Sequence, residues 1–448
     1  MKILELSSLN DINILPATIK GTERKHVIKF NPSLARLEGN IFVLTYRVFV
    51  ASAESRKPGF TPTSNSHSGT PWGSEWDSDY DGTGVAFLRY DQPSRNFFVV
   101  QDSILPVMDN VVESRICNDG QGILLSYYAF QDTCKFISQD RSSSVELCGN
   151  KSRACEFKYV TRINFQKEKN GISYSVLKPF IVCPSQNTYI KESSGIFKLN
   201  SKFYFQDDMM SWSFLEYKHK NKCTILHPEN SVYFYKLSTW YDGSVKFHPS
   251  TPLVPYSDGE LLGVGYAQMD FWRIAELIEQ QTLRNTKYFE EGGDVAQLTA
   301  QSKPDNTKPI HMEEYAQSGA ADFMRDIQSL FNLPDFKDVS EWSKYKEGHL
   351  HHRHFNFMFF YTVDPLNLQL QRFSFCFYPR PPSSTISTYV IPCGVELVET
   401  NVIAVSYGSS HTTSNIMLMN RAEVNKKLKY TPTDNPHLNQ YPFMYTNH

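Results

Sequence analysis

Five times along this chain a polar or charged triplet opens a short β-prone run, a turn of Asn, Asp, Gly or Thr follows, and a second strongly β-prone run closes the unit. The first unit passes from Phe30-Asn31-Pro32-Ser33 through Gly39-Asn40 to Ile41-Phe42-Val43-Leu44-Thr45-Tyr46-Arg47. The second passes from Val112-Glu113-Ser114-Arg115 through Asp119-Gly120 to Ile123-Leu124-Leu125-Ser126-Tyr127-Tyr128, and the third from Ile190-Lys191-Glu192-Ser193 through Asn200-Ser201 to Lys202-Phe203-Tyr204-Phe205. The fourth opens at Leu253-Val254-Pro255, turns at Asp258-Gly259 and closes on Leu261-Leu262-Gly263-Val264-Gly265. The fifth runs from Gly394-Val395-Glu396-Leu397 through Glu399-Thr400 to Val402-Ile403-Ala404-Val405-Ser406-Tyr407-Gly408. Each is a hairpin by its turn chemistry. A hairpin unit recurring at blade-sized intervals buries its faces only by stacking on its neighbours, so the reading is all-β, a single domain over 1–448 built as a propeller.

The last interval is roughly twice the others, and its excess of about 75 residues is read as an insertion over 271–348 within the fourth repeat. This tract alone has helical character: Phe323, Ile327, Leu330 and Phe331 share one helix face, and 271–289 reads as a second helix. A second irregular stretch, 57–84, is a long Pro- and Gly-rich loop inside the first repeat, carrying Trp72, Trp76 and Tyr80 beside four acidic residues. Long loops on rigid scaffolds tend to carry function, although such a loop can also be packing on its own scaffold.

Composition narrows the function classes. A formal net charge of -2 gives no footing for nucleic acid or an anionic membrane surface. Aromatic residues make up 14% of the chain, which suits β-structure and stacking surfaces. No long uncharged apolar stretch offers a membrane span, and mean hydropathy is -0.41. The start, with Glu5, Asn10 and Asp11, lacks the apolar core of a signal peptide, so the expected location is cytoplasmic. The 8 cysteines form no Cys-x-x-Cys pair and read as reduced thiols, Cys148 and Cys155 being the one pair placed to bridge a hairpin.

In order and spacing, the unit openings and closings resemble those of the five-bladed β-propeller carbohydrate-active enzymes, most closely the β-mannoside phosphorylases and the related mannosyltransferase/phosphorylases. Asn31-Pro32-Ser33 and Tyr46-Arg47 match the first blade's Asn-Pro-Ser and Tyr-Arg. Anchored on its arginine, Val112-Glu113-Ser114-Arg115 stands where the family has Glu-Asp-Pro-Arg, and Ile190-Lys191-Glu192 keeps the lysine of Glu-Lys-Asn. The fourth unit keeps the Gly-x-Leu-Leu-Gly-x-Gly frame with Tyr266 in the histidine place, and Tyr407-Gly408-Ser409-Ser410-His411 puts His411 where the family has an acid.

The resemblance implies five blades and an inverting glycoside phosphorylase or glycosyltransferase acting on mannose-type glycans, with no cofactor and no metal. Inverting transfer needs an acid for the departing oxygen and an attacking group on the opposite face. The acid place falls to Glu113, one methylene longer than the family's aspartate; otherwise it is a solvated glutamate or an ion-pair partner of Arg115. Arg47, Arg115 and Lys191 open or close successive units and would converge on the axis as a cradle for phosphate or a sugar phosphate. Asp208, His354 and His411 are further sugar- or phosphate-binding candidates, and Trp72, Trp76 and Tyr80 are candidate stacking faces for sugar rings. Acidic residues leaving a strand, as Asp207-Asp208 do, are most often plain turn formers. In His349-Leu350-His351-His352-Arg353-His354 alternation puts at most two imidazoles on one side, too few for a metal set. No nucleophile elbow, P-loop or dinucleotide-binding glycine pattern occurs. Two other readings remain open: a propeller that binds glycan without turning it over, and an interaction scaffold working through its helical insertion.

Overall fold

The computed structural model describes residues 2–5, 26–51, 78–105, 111–131, 155–169, 171–184, 195–218, 222–228, 245–257, 259–269, 310–311, 355–374, 376–379, 390–409, 413–428, 440–441 and 444–445. Strand β1 (Lys2–Glu5) is held back for the last blade. Blade I is the meander β2 (His26–Glu38), β3 (Ile41–Ala51), β4 (Ser78–Asp91) and β5 (Asn96–Ile104). Blade II comprises β6 (Val111–Asn118), β7 (Ile123–Gln131), β8 (Cys155–Glu168) and β9 (Gly171–Val176). Next comes β10 (Phe180–Pro184), which pairs antiparallel with β8 and parallel with the last strand of blade III, joining the two blades' sheets. Blade III is β11 (Ile196–Leu199), β12 (Lys202–Asp208), β13 (Ser213–Lys218) and β14 (Lys222–Leu226).

Blade IV departs from the simple meander. Its inner edge is in two pieces, β15 (Val245–Pro249) and β16 (Val254–Ser257), both paired with β17 (Glu260–Met269). A two-residue strand β18 (Ile310–His311), the long β19 (Phe355–Val363), β20 (Leu370–Phe373) and β21 (Phe377–Tyr378) complete it. The expected helical insertion over 271–348 lies outside the described residues except for β18, which pairs with β21. Blade V consists of β22 (Val390–Glu399), β23 (Val402–Ser409), β24 (Thr413–Asn420) and β1, whose register sets Lys2 against Leu418. The first strand is thus paired into the last blade, beside β24. A short helix α1 (Arg421–Lys427), capped by the Asn420 side chain on Ala422 N–H, follows.

Hairpins stand at the places read in the sequence, as β2/β3, β6/β7, β11/β12, β16/β17 and β22/β23, with the opening Ile190-Lys191-Glu192-Ser193 of the third unit outside the described residues. Their turns demand what the sequence supplies: Gly39, Gly120, Asn200, Ser201 and Gly259 all hold positive φ. Between blades lie four apolar clusters, such as that of Val43, Phe87, Ile116 and Tyr127 between blades I and II. Blade IV has the most apolar central strand, β19, buried at every residue because sheets pack on both of its faces.

At the end of the axis marked by the hairpin tips, Glu396 of β22 lies beside Arg36 of β2, whose guanidinium also donates to Val398 O at 2.9 Å. Burial pushes the Glu396 carboxyl up to about 7, against the opposing pull of Arg36. The folded protein therefore holds this proton more tightly than the unfolded chain does. Stability is expected to fall, by about 2 kcal/mol, as pH rises from the ordinary glutamate range through 7. Chemical denaturation between pH 5 and 8 checks this, and Glu396→Gln should flatten the slope.

Candidate functional site

Each unit begins with its innermost strand, so the starts of β2, β6, β15 and β22 and the ends of β3, β7, β17 and β23 share one face of the ring. Near this face the inner strands are bulged at the motif positions. The β2/β3 register jumps between Phe30 and Ser33, β6/β7 between Val112 and Arg115, and β22/β23 between Pro392 and Gly394. A bulge re-aims the side chains it carries. Asn31 sits in the first with φ 52, a conformation asparagine tolerates better than most residues.

Hydrogen bonds across the axis lock the bulges together. Ser33 Oγ donates to Cys393 O at 2.8 Å and accepts from Ile116 N–H at 3.0 Å, joining blades I, II and V. Arg115 reaches from blade II to blade IV, its Nε donating to Ser250 O at 2.7 Å and its Nη1 to Ser114 O at 2.9 Å. The Ser250 hydroxyl in turn donates to Pro392 O of blade V. Glycines permit this approach: a Cβ on Gly408 would stand 2.6 Å from Asn31 Oδ1.

Among the described residues, four charged side chains are buried: Arg47, Arg115, Lys158 and Asp119. Asp119 lies at a hairpin tip, paired with Arg162. The other three are cations set toward the bulged face, with exposures of 5%, 0% and 3%. Arg47 lies across β3 from Phe30, its guanidinium 5.4 Å from the centre of that ring. Lys158 projects from β8 toward blade III, 5.6 Å from the Phe205 ring centre.

The sequence candidates fall out as follows. Arg47 and Arg115 reach the bulged face from neighbouring blades. Glu113 occupies the bulge of β6 immediately before Ser114, opposite Tyr127, and its side chain lies outside the described residues, as does that of Tyr80 on β4. Lys191, His354, His411, Trp72 and Trp76 lie outside the described residues altogether, as does the pairing of Cys148 with Cys155. Asp208 ends β12, where its carboxylate accepts from Met210 N–H, Ser211 N–H and Ser211 Oγ at 2.9–3.1 Å, the pattern of a turn former.

Two features escaped the sequence reading. Lys158 belongs to none of the five hairpins, so nothing drew attention to it. The other is a repeated tetrapeptide: Phe247-His248-Pro249-Ser250 on the inner edge of blade IV echoes Phe30-Asn31-Pro32-Ser33 on that of blade I. Both serines donate to carbonyls of the blade V bulge. Phe-x-Pro-Ser was the signal that could have placed the start of the fourth blade at β15.

No protein-family model matches the chain, and no curated protein matches it. Solved structures do resemble it. A β-1,2-mannobiose phosphorylase from Listeria innocua, in complex with β-1,2-mannobiose, is 11% identical with a TM-score of 0.45, covering 96% of this chain and 99% of its own. A mannose phosphorylase from Leishmania mexicana in complex with phosphate ion is 6% identical with a TM-score of 0.37, over 92% of this chain and 89% of its own. A GDP-Man-dependent mannosyltransferase from the same organism is 7% identical with a TM-score of 0.35, over 88% and 85%.

Proposed function

We propose that this protein is a carbohydrate-active enzyme, an inverting glycoside phosphorylase or glycosyltransferase acting on mannose-type glycans at the bulged face of the ring. The observation that carries the reading is the burial of Arg47 and Arg115 at the motif positions of successive blades, beside the bulge that holds Glu113. In the phosphorolytic direction, Glu113 gives its proton to the glycosidic oxygen as the bond to the anomeric carbon breaks. Inorganic phosphate attacks that carbon from the opposite face and forms a sugar 1-phosphate of inverted configuration. Arg47, Arg115 and Lys191 hold the phosphate, and preorganised cations in a site poor in water stabilise the charge that moves onto the leaving group. His354 and His411 contribute polar contacts to the sugar, and Trp72, Trp76 and Tyr80 supply stacking faces.

No helix among the described residues is long and apolar enough to cross a membrane. Four of the cysteines, Cys117, Cys223, Cys376 and Cys393, are buried and unbridged, which supports a cytoplasmic, reducing location. The test of the activity is incubation with mannose 1-phosphate plus mannose, and separately with GDP-mannose plus mannose. Release of phosphate marks a phosphorylase and release of GDP a transferase. Turnover of neither, with mannoside binding intact, would instead favour a glycan-binding propeller, the reading to which Tyr266 in the histidine place already lends support.

A further inference from the structure

We infer that His248 contacts the ligand of this face, its imidazole joining Arg115 in binding a dianionic phosphate or sugar-phosphate group. The inference rests on the reading that the face takes such an anion, and it adds a residue from blade IV that no motif assigned. Three observations carry it. First, His248 holds in its tetrapeptide the place that Asn31 holds in the other, and the serine two residues on, Ser250 or Ser33, is tied to the same bulge of β22. His248 therefore belongs to the axial edge of its blade. Second, Arg115 is anchored on this tetrapeptide through Ser250 O at 2.7 Å. Two residues of strand span about 6.6 Å, so His248 stands about that far along its strand from the residue whose carbonyl Arg115 holds. Third, His248 is partly exposed, and its ring is stacked on its cross-strand partner Tyr266, 4.8 Å between centres and 16° between planes. Stacking fixes the ring plane while part of the side chain stays accessible.

A protonated imidazole offers two N–H donors and a positive charge, and histidine gains that charge near pH 6.5. Among the described residues, the other ionisable groups on the elements packed against β15 are Lys202, Tyr204, Asp207 and Asp208 on β12 and Glu260 and Tyr266 on β17, with Lys246 on β15 itself and Arg115 reaching Ser250. Carboxylates ordinarily titrate below this window, and tyrosines, lysines and arginines above it.

Sulfate is the probe, because it stays a dianion from pH 6 to pH 8. Calorimetric titration of the full chain should show sulfate bound about tenfold more tightly at pH 6 than at pH 8. In His248→Gln and His248→Asn that difference should vanish, with binding at pH 6 weakened to the level of pH 8. Tyr266→Phe keeps the stack and should keep the difference. Should both histidine variants fail to fold, the pH dependence of the parent protein decides alone. Sulfate bound equally at both pH values, or a pH difference that survives in folded His248→Gln, would overturn the inference and leave the anion site standing. Absence of sulfate and phosphate binding by the parent protein would overturn both.

Discussion

Gly394→Ala is expected to destabilise the protein by about 3 kcal/mol or more, among the largest effects of any single methyl added to this chain. The added carbon would stand 2.4 Å from Leu34 N, 2.7 Å from Ser406 Oγ and 2.9 Å from Leu34 O. Two of those three atoms are backbone of a different blade, and neither can swing aside as a side-chain tip would. Leu34 is paired with Leu44 in the β2/β3 ladder, and its neighbour Ser33 is bonded to Cys393 O, next to the glycine itself. Relief therefore requires blades I and V to separate at the axis. Gly39→Ala is the control: at φ 54 it carries backbone strain, yet a Cβ there meets nothing within 4 Å, so its cost should stay near 1 kcal/mol. Urea unfolding of the two variants compares them, and equal costs would mean that the axial contact is looser than described.

Arg115→Leu should be comparably severe, about 3 to 5 kcal/mol, because it removes a wholly buried guanidinium and leaves the main-chain oxygens of Ser250 and Ser114 without that donor. Arg115→Lys should recover little, since one ammonium cannot reproduce the fork that donates in two directions. The same substitutions should abolish binding of sulfate or phosphate in whatever fraction remains folded. A structural arginine alone would lose stability and keep the anion; an arginine serving both purposes loses both. Thermal unfolding with and without phosphate separates the cases.

The hairpins were legible because each is local: a turn residue suited to positive φ stands between two β-prone runs, and tertiary context has little left to decide. What depends on distant partners was not. Lys2–Glu5 gives no local sign that it will pair with Asn415–Leu418 in the last blade, and nothing around Pro184 announces a parallel pairing between β10 and β14. The fourth unit opens at Leu253 in the sequence, whereas the inner edge of the blade begins earlier, with β15, and is broken between Pro249 and Pro252. In the folded chain that break is where Ser250 joins the axial ring. Arg47 and Arg115 stand out in the sequence by their place in a repeated unit, and both are buried. Lys158 does not stand out, since its burial follows from the packing of blade II on blade III. Asp208 shows the converse, an acidic residue well placed in sequence whose carboxylate is engaged by its own turn.

The central claim is that the bulged face performs inverting transfer of a mannosyl group with Glu113 as the acid. Phosphorus NMR of the protein with a β-linked mannobiose and inorganic phosphate reads it most directly. The expected result is the appearance of α-mannose 1-phosphate, with the rate reduced by about two to four orders of magnitude in Glu113→Gln while phosphate binding is retained. Formation of the β anomer, an undiminished rate in Glu113→Gln, or no sugar phosphate from the folded parent protein would contradict it.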